Sequence, residues 1–288
     1  MNQRIVIISI VLLLLCFGCK EKENKDLPNK DEQPEWTIDF FDDFETFNTA
    51  HWQDQMIWVN NENHCYVPDG KYNTREVSNG TLKLRVIDLG EKQPCDNLDV
   101  KTGAQHPETQ YVAGRIISKN RKEFIKGKWT ARLKVENSGQ SGMFPAWWLL
   151  GARNNEPPIE HEDETVCWPL TGSGEIDVFE HHSDGGPNHY AARAIVSLGE
   201  CQSGDWQGKM LVQEAELGEF HDYSVEWDRK DLVFRLDNEE VYRAKDQGDN
   251  FPEPLFAILN FAKINDAPMT QNWEMEVDWV KHEFKTKK

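Results

Sequence analysis

One short stretch concentrates the chemistry of this chain: Gly172-Ser173-Gly174-Glu175-Ile176-Asp177-Val178-Phe179-Glu180. On a regular strand successive side chains alternate between faces, so Glu175 and Asp177 share one face, and Ile176 and Val178 take the other. Strict alternation would send Glu180 to the apolar side, where an unpaired charge is costly. One extra residue taken up in a β-bulge near Val178–Phe179 returns Glu180 to the acidic face, and bulges beside active sites re-aim side chains in this way. Three carboxyls in a row raise one another's pKa. They also supply what retaining cleavage of a glycosidic bond needs: a nucleophile and a second carboxyl acting first as acid and then as base, about 5–5.5 Å apart, with a third between them to adjust both. A solvated edge strand could carry the same acids without any such task. Against that, Ile176, Val178 and Phe179 call for a packed face, and nearby Trp147, Trp148 and Trp168 offer flat surfaces for a ring.

The elements that must position this row read as strands. Thr81–Val86, Trp129–Val135 and Tyr223–Trp227 alternate with period two, and Leu232–Leu236 runs through Asp237-Asn238-Glu239-Glu240 into Val241-Tyr242, a hairpin signature. Near the end, Met275, Val277 and Trp279 fall on one face and Glu276 and Asp278 on the other. No segment carries three turns of amphipathic helix and no repeat is visible. The expectation is an all-β fold, an antiparallel sandwich, filling residues 36–288 as one domain.

Composition narrows the partners. The chain has 288 residues, 32 basic and 50 acidic, for a net charge of −18. Nucleic-acid binding draws its affinity from basic patches, so it is disfavoured. A strongly anionic polymer is a poorer substrate on the same ground, unless a local basic cleft overrides the average. Eleven Trp residues suit a sugar-binding surface, although Trp is also core material.

Residues 1–19 read as an export signal: Arg4, an apolar run from Ile5 to Leu15, then Cys16-Phe17-Gly18-Cys19. A small residue before a Cys at the end of such a run resembles a bacterial lipobox, which makes Cys19 the lipidated residue; Cys16 and Phe17 depart from that pattern, and a plain secretory signal is the alternative. Residues 20–35 are charged, contain Pro28 and Pro34, and read as a flexible tether. The expected location is therefore the bacterial outer membrane or cell surface, with the membrane reached through the lipid anchor; periplasmic or secreted protein is the alternative. Cys65, Cys95, Cys167 and Cys201 remain, allowing two disulfides in three connectivities. Proximity in sequence favours Cys65–Cys95 and Cys167–Cys201, and the absence of a C-x-x-C pair disfavours structural zinc.

Across most of residues 36–284 the sequence resembles glycoside hydrolase family 16, laminarinase-like branch. Its E-I/L-D-x-x-E signature stands here as Glu175-Ile176-Asp177-Val178-Phe179-Glu180. Phe41-Asp42-Asp43-Phe44 resembles the opening W-x-D-E-F, and Ala113-Gly114-Arg115-Ile116-Ile117-Ser118-Lys119 the S-G-R-I-x-S-K strand. The segment Gly142–Gly151 is similar to G-x-W-P-A-F-W-L-L-G, Phe220–Trp227 to F-H-x-Y-x-x-E-W, and Met275–Val280 to M-x-V-D-Y-V.

The resemblance implies a β-jelly-roll sandwich of two antiparallel sheets with a concave substrate cleft, and retaining endo-hydrolysis of a β-linked polysaccharide. A monomer is expected. It implies Glu175 as nucleophile, Glu180 as acid/base and Asp177 as their assistant. Asn60 and Arg115 match positions that hold sugar hydroxyls, and Trp148 and Trp168 match aromatic positions lining the cleft. A cross-strand ion pair is the alternative for Arg115, and a core role for each Trp. No cofactor is expected in catalysis. A structural calcium on the convex side is implied at Asp43 and Asp278 with a carbonyl near Gly80, oxygen donors suited to a hard cation. If His189 takes the first place of the branch's V-H/W-G-T-x-H strand, Arg193 replaces the second His. An Arg there could serve the sulfate or carboxylate of a red-algal galactan. β-1,3-Glucan or mixed-linkage β-1,3/1,4-glucan is the expected substrate; an agarase, porphyranase or carrageenase activity and a non-catalytic glycan-binding lipoprotein are the alternatives. Glu160-His161-Glu162-Asp163-Glu164 reads as an exposed acidic loop, with gating of one end of the cleft as the alternative, and His181 and His182 as loop residues without zinc-binding spacing.

Overall fold

Segments of period-two sequence are strands in the computed structural model, which describes residues 35–60, 62–95, 108–197, 199–202, 213–214, 216–228 and 230–286. Segment 1–19 with Cys19, and the tether up to residue 34, lie outside the described residues. In chain order the strands are β1 Glu35–Asp42, β2 Gln53–Asp54, β3 Cys65–Tyr66, β4 Arg75–Ser78, β5 Thr81–Pro94, β6 Glu108–Ala113, β7 Arg115–Ile117, β8 Glu123–Phe124, β9 Gly127–Val135, β10 Met143–Gly151, β11 Glu175–Glu180, β12 His189–Ile195, β13 Gln213–Glu214, β14 His221–Trp227, β15 Leu232–Leu236, β16 Glu239–Ala244, β17 Leu255–Lys263 and β18 Trp273–Thr286. Among the described residues the only helices are short 3₁₀ turns.

The strands form two sheets. One runs β16-β15-β14-β9-β18-β5-β6-β3, with β1 on β18 and β4 on β5; the other runs β13-β12-β11-β10-β17-β7-β2, with β8 on β17. Pairing is antiparallel throughout except for the short parallel match of β3 to β6. Inner faces of both sheets meet in one core, where Ile176, Val178, Phe179, Trp147 and Leu149 pack with Tyr223, Val225, Leu133 and Trp129. This is the jelly-roll sandwich expected from the sequence.

Local chemistry sets the connections. The β15–β16 hairpin turns on Asp237 and Asn238, both at positive φ (49° and 69°), a conformation these short polar side chains tolerate. Gly151 ends β10 where a Cβ would lie 2.3 Å from the Gly172 carbonyl, so only glycine lets the approach to β11 pass so close. Both disulfides form in the pairing favoured by proximity, Cys65–Cys95 and Cys167–Cys201.

One assignment of faces needs correction. The β18–β9 register shifts between Val277 and Trp279. The extra residue turns Trp279 out against Phe41, with ring centroids 6.2 Å apart, and gives its core place to Val280. Alternation fails here because a bulge re-phases every side chain beyond it.

Candidate active site

The second sheet carries the acid row at its middle. Opposite β11, Leu150, Trp148 and Ala146 of β10 pair with Glu175, Asp177 and Glu180; on the other side, Ile195, Arg193 and Ala191 of β12 do the same. Both ladders slip between Asp177 and Glu180, which places the bulge where the sequence requires it. Ile176, Val178 and Phe179 all enter the core, and the three acids share the opposite face. Asp177 and Glu180 are buried and Glu175 is half-buried.

Electrostatics then separates their roles. Burial pushes Glu175 up to about 7, the charge of Glu180 adds to the rise, and a hydrogen bond from Asp177 restrains it. Asp177 and Glu180 are raised well above ordinary carboxyls, first by burial and next by the neighbouring acid, against the cation of Arg193. The bond between Asp177 and Glu180 raises Glu180, and the bond between Asp177 and Glu175 lowers Glu175. Protons therefore stay longest at the Glu180 end and leave first at Glu175. An ionised carboxylate at one end of the row and a protonated one at the other is the division of labour a nucleophile and an acid need.

A polar network lies beyond Glu175. Arg115 is buried, its Nε donates to Gln55 Oε1 at 2.7 Å, and its guanidinium sits 5.0 Å over the Trp148 ring. Trp148 Nε1 donates to Asn260 Oδ1 (2.7 Å), and Asn260 Nδ2 donates to Tyr66 Oη (3.1 Å). Tyr66 in turn reaches Glu62 Oε1 at 3.5 Å. Glu62 is pushed up to about 8 by burial, opposed by Arg115. Trp168 packs with Trp148 on an apolar floor of Ile117, Leu150, Phe256 and Ile258. Arg115, Trp148 and Trp168 are thus brought to one face, and Arg115 is not paired across strands on the surface.

The loop between β10 and β11 forms a wall anchored at Glu164: Glu160, His161, Glu162 and Asp163 are exposed, as expected of an acidic loop, whereas Glu164 is buried. Lys119 is fully buried, its Nζ lies 2.9 Å from Glu164 Oε2, and it also donates to the carbonyls of Asn154 (2.9 Å) and Glu156 (2.7 Å). Glu164 accepts the backbone N–H groups of Glu160 and His161. The same loop carries Glu156 to within 3.8 Å of Arg115 Nη2. Removing one member of a buried pair strands the other charge, so Lys119→Met is expected to lower unfolding free energy by about 3–5 kcal/mol. Denaturant titration checks this; a loss below about 1 kcal/mol would show that the wall does not depend on the pair.

Other expected residues fare differently. Asn60 is exposed at a turn with φ 54°, just before Glu62. His189 is 6% exposed and its Nδ1 bonds the Gly186 carbonyl at 2.9 Å, so it holds the turn after β11 and does not present a ring to the open cleft. His181 and His182 lie just past β11, as the loop reading expects; His181 is buried between the carbonyls of Ser138 and His189, and His182 reaches the acid row through Arg193. Arg193 lies on the cleft face with its guanidinium on Glu180. Glu62, Glu156, Gln55 and Asn260 escaped the sequence reading because strand periodicity says nothing about which loop folds over which strand. The one signal for Glu62 was its position two residues after Asn60. At the convex face, Asp43 Oδ1 accepts the Glu45 N–H, Asp278 lies 3.3 Å from Arg132 Nε, and a Cβ on Gly80 would sit 3.3 Å from Glu45 Oε1. Carboxylate and carbonyl oxygens are the donor types a hard cation takes, and Asp278 is here paired with Arg132.

A family model described as glycosyl hydrolases family 16 matches residues 53–281. The glucan endo-1,3-beta-glucosidase A1 of Niallia circulans is 23% identical over 256 residues, 78% of this chain and 31% of that protein, so this chain spans about a third of that relative. The crystal structure of LamAcat from Zobellia galactanivorans is 27% identical, covers 86% of this chain and 98% of its own, and superposes with a TM-score of 0.69. A structure from work on endo-acting O-glycanases with which prominent members of the human gut microbiota initiate mucin breakdown shares the fold at 23% identity and TM-score 0.71, covering 87% of this chain and 91% of its own.

Proposed function

Because this chain belongs to glycosyl hydrolases family 16, we propose that it is an endo-acting, retaining β-glucanase with β-1,3-glucan or mixed-linkage β-1,3/1,4-glucan as substrate. The observation that carries this reading is the row Glu175, Asp177, Glu180 on one sheet face, with Glu175 the first to ionise. Glu175 attacks the anomeric carbon while Glu180 gives its proton to the departing glycosidic oxygen, which leaves a glycosyl ester on Glu175. Glu180, now ionised, takes a proton from water as that water attacks the same carbon, and two inversions restore the β configuration. Asp177, bonded to both, follows the proton inventory without touching the reacting carbon.

Two features support a neutral glucan over a sulfated galactan. Arg115 and Arg193, the cleft arginines, are engaged by Gln55, Glu156, Glu180 and Asp177, and acids outnumber them. The names of the glucanase relatives point the same way. Reducing-end release on laminarin, barley β-glucan, agarose, porphyran, carrageenan and mucin glycoprotein tests the substrate class. Release from the first two alone is expected, and release confined to the galactans or to mucin would overturn it.

With this reading go a lipid anchor at Cys19 and a structural calcium at Asp43, Asp278 and the carbonyl near Gly80. Calcium would add no step to the chemistry. A ligand that binds only the folded state raises its melting temperature, so Tm should rise by several degrees with calcium over EDTA, and Asp278→Asn should abolish the rise. Equal melting in calcium and EDTA would refute the site.

A further inference from the structure

Arg193 stands where its charge is least expected to read a substrate. Its Nε donates to Glu180 Oε2 at 2.6 Å and its Nη2 contacts the same oxygen. Nε also lies 3.3 Å from Asp177 Oδ2, and the Arg193 side chain is only 13% exposed. On its far side, Nη2 lies 3.3 Å from His182 Nε2. A guanidinium has donors only, so His182 must meet it with an unprotonated ring nitrogen. Burial supports this by pushing His182 down to about 4, and the Arg193 cation adds to the effect. The Phe144 ring packs against the His182 imidazole, with ring centroids 4.3 Å apart. By the same rule, a carboxyl oxygen that accepts both guanidinium N–H groups is not the one that carries a proton.

Resting on the glycosidase reading above, we propose that Arg193, held in place by His182, is the positioning residue of the acid/base: it fixes Glu180 through Oε2 and leaves Oε1 as the oxygen that delivers and later takes the proton. When the Oε1 proton passes to the departing glycosidic oxygen, the carboxylate left behind is balanced by the cation already bound to it. In the second half the same contact steadies Glu180 while Oε1 accepts the proton of the attacking water. The charged and titratable groups facing Glu180 are Asp177 and Glu175 along β11, Arg193 from β12 and His182 just past the strand; its β10 partner, Ala146, brings none.

The test compares Arg193→Ala with wild type on laminarin and on a dinitrophenyl β-oligoglucoside, with millimolar guanidinium chloride or sodium chloride at equal ionic strength. The folded state of each variant is checked by thermal melting. On laminarin kcat/KM is expected to fall about 30–100-fold, and on the aryl glycoside, whose leaving group needs no proton, no more than about threefold. Guanidinium should recover at least about tenfold, saturably, and sodium chloride nothing. Arg193→Lys keeps the charge without the two-pronged contact and should lose about tenfold on laminarin. His182→Gln should weaken the reaction less than Arg193→Ala does. Full activity in Arg193→Ala or Arg193→Lys, or an equal loss on both substrates that guanidinium leaves unchanged, would overturn the positioning role alone. Wild-type turnover in Glu175→Gln would instead sink the glycosidase reading, and this proposal with it.

Discussion

Glu175→Gln will lose about three to five orders of magnitude in kcat on polysaccharide while still binding oligosaccharide, by analogy with other essential catalytic groups. Glutamine keeps the shape and cannot form the glycosyl ester. A second consequence separates loss of chemistry from damage to the fold. The folded value of about 7 for Glu175 lies above its ordinary 4.5, so the folded state binds the proton more tightly than the unfolded chain. Between these values the unfolded chain has released its proton and the folded protein has not. Stability therefore falls as pH rises through this window and levels off above it. A shift of that size corresponds to at most about 3 kcal/mol. A residue that cannot ionise escapes the loss, so Glu175→Gln should be more stable than wild type at pH 8 and equal to it near pH 4. Denaturant melts at the two pH values check the sign. A variant less stable at both, with activity to match, would mean that Glu175 supports the fold and not the chemistry.

Glu180 carries the second large effect, and its signature is the leaving group. Glu180→Gln should lose about 10²–10⁴ in rate on laminarin, the range of general acid–base assistance. An activated aryl glycoside needs no proton to depart, so formation of the glycosyl ester should be nearly spared, and azide, which needs no general base, should speed its breakdown and yield a β-glycosyl azide. The pH profile supplies the complement. In wild type, kcat/KM should rise through about pH 7 as Glu175 ionises and fall at higher pH as the Asp177–Glu180 pair gives up a proton. In Glu180→Gln the high-pH limb should vanish and the lower limb remain. Equal losses on laminarin and on the aryl glycoside would contradict an acid/base role.

Much of the catalytic strand was legible because two local rules collide there. Alternation puts Glu180 on the apolar face, burial forbids it, and a bulge at Val178–Phe179 is the single backbone change that satisfies both. The β15–β16 turn was legible for a related reason, since Asp237 and Asn238 tolerate positive φ. Trp279 was misplaced because nothing in Met275–Val280 marks a bulge: Asp278 stays on the solvent side with or without one, and Trp279 is acceptable on either face until the β9 register decides. Glu164 read as a solvated acid, and only the fold shows buried Lys119 beneath it. Glu156 and His182 reach the site from loops whose paths depend on long-range contacts, here Lys119 with the Glu156 carbonyl and Arg193 with His182. Arg193 was recognised as a cleft residue, but its task was hidden, because a sequence does not tell whether a cation faces a substrate or the acid two residues across the ladder.

The anomer released first is the most direct test of the central claim that Glu175 and Glu180 perform a double displacement. Proton NMR of laminarin hydrolysis within the first minutes, before mutarotation mixes the products, reads it in the wild-type protein beside Glu175→Gln. The mechanism predicts that the β-anomeric signal of the new reducing end rises first and that the variant gives no signal. An α-anomer appearing first, or a β signal growing equally fast in Glu175→Gln, would contradict it.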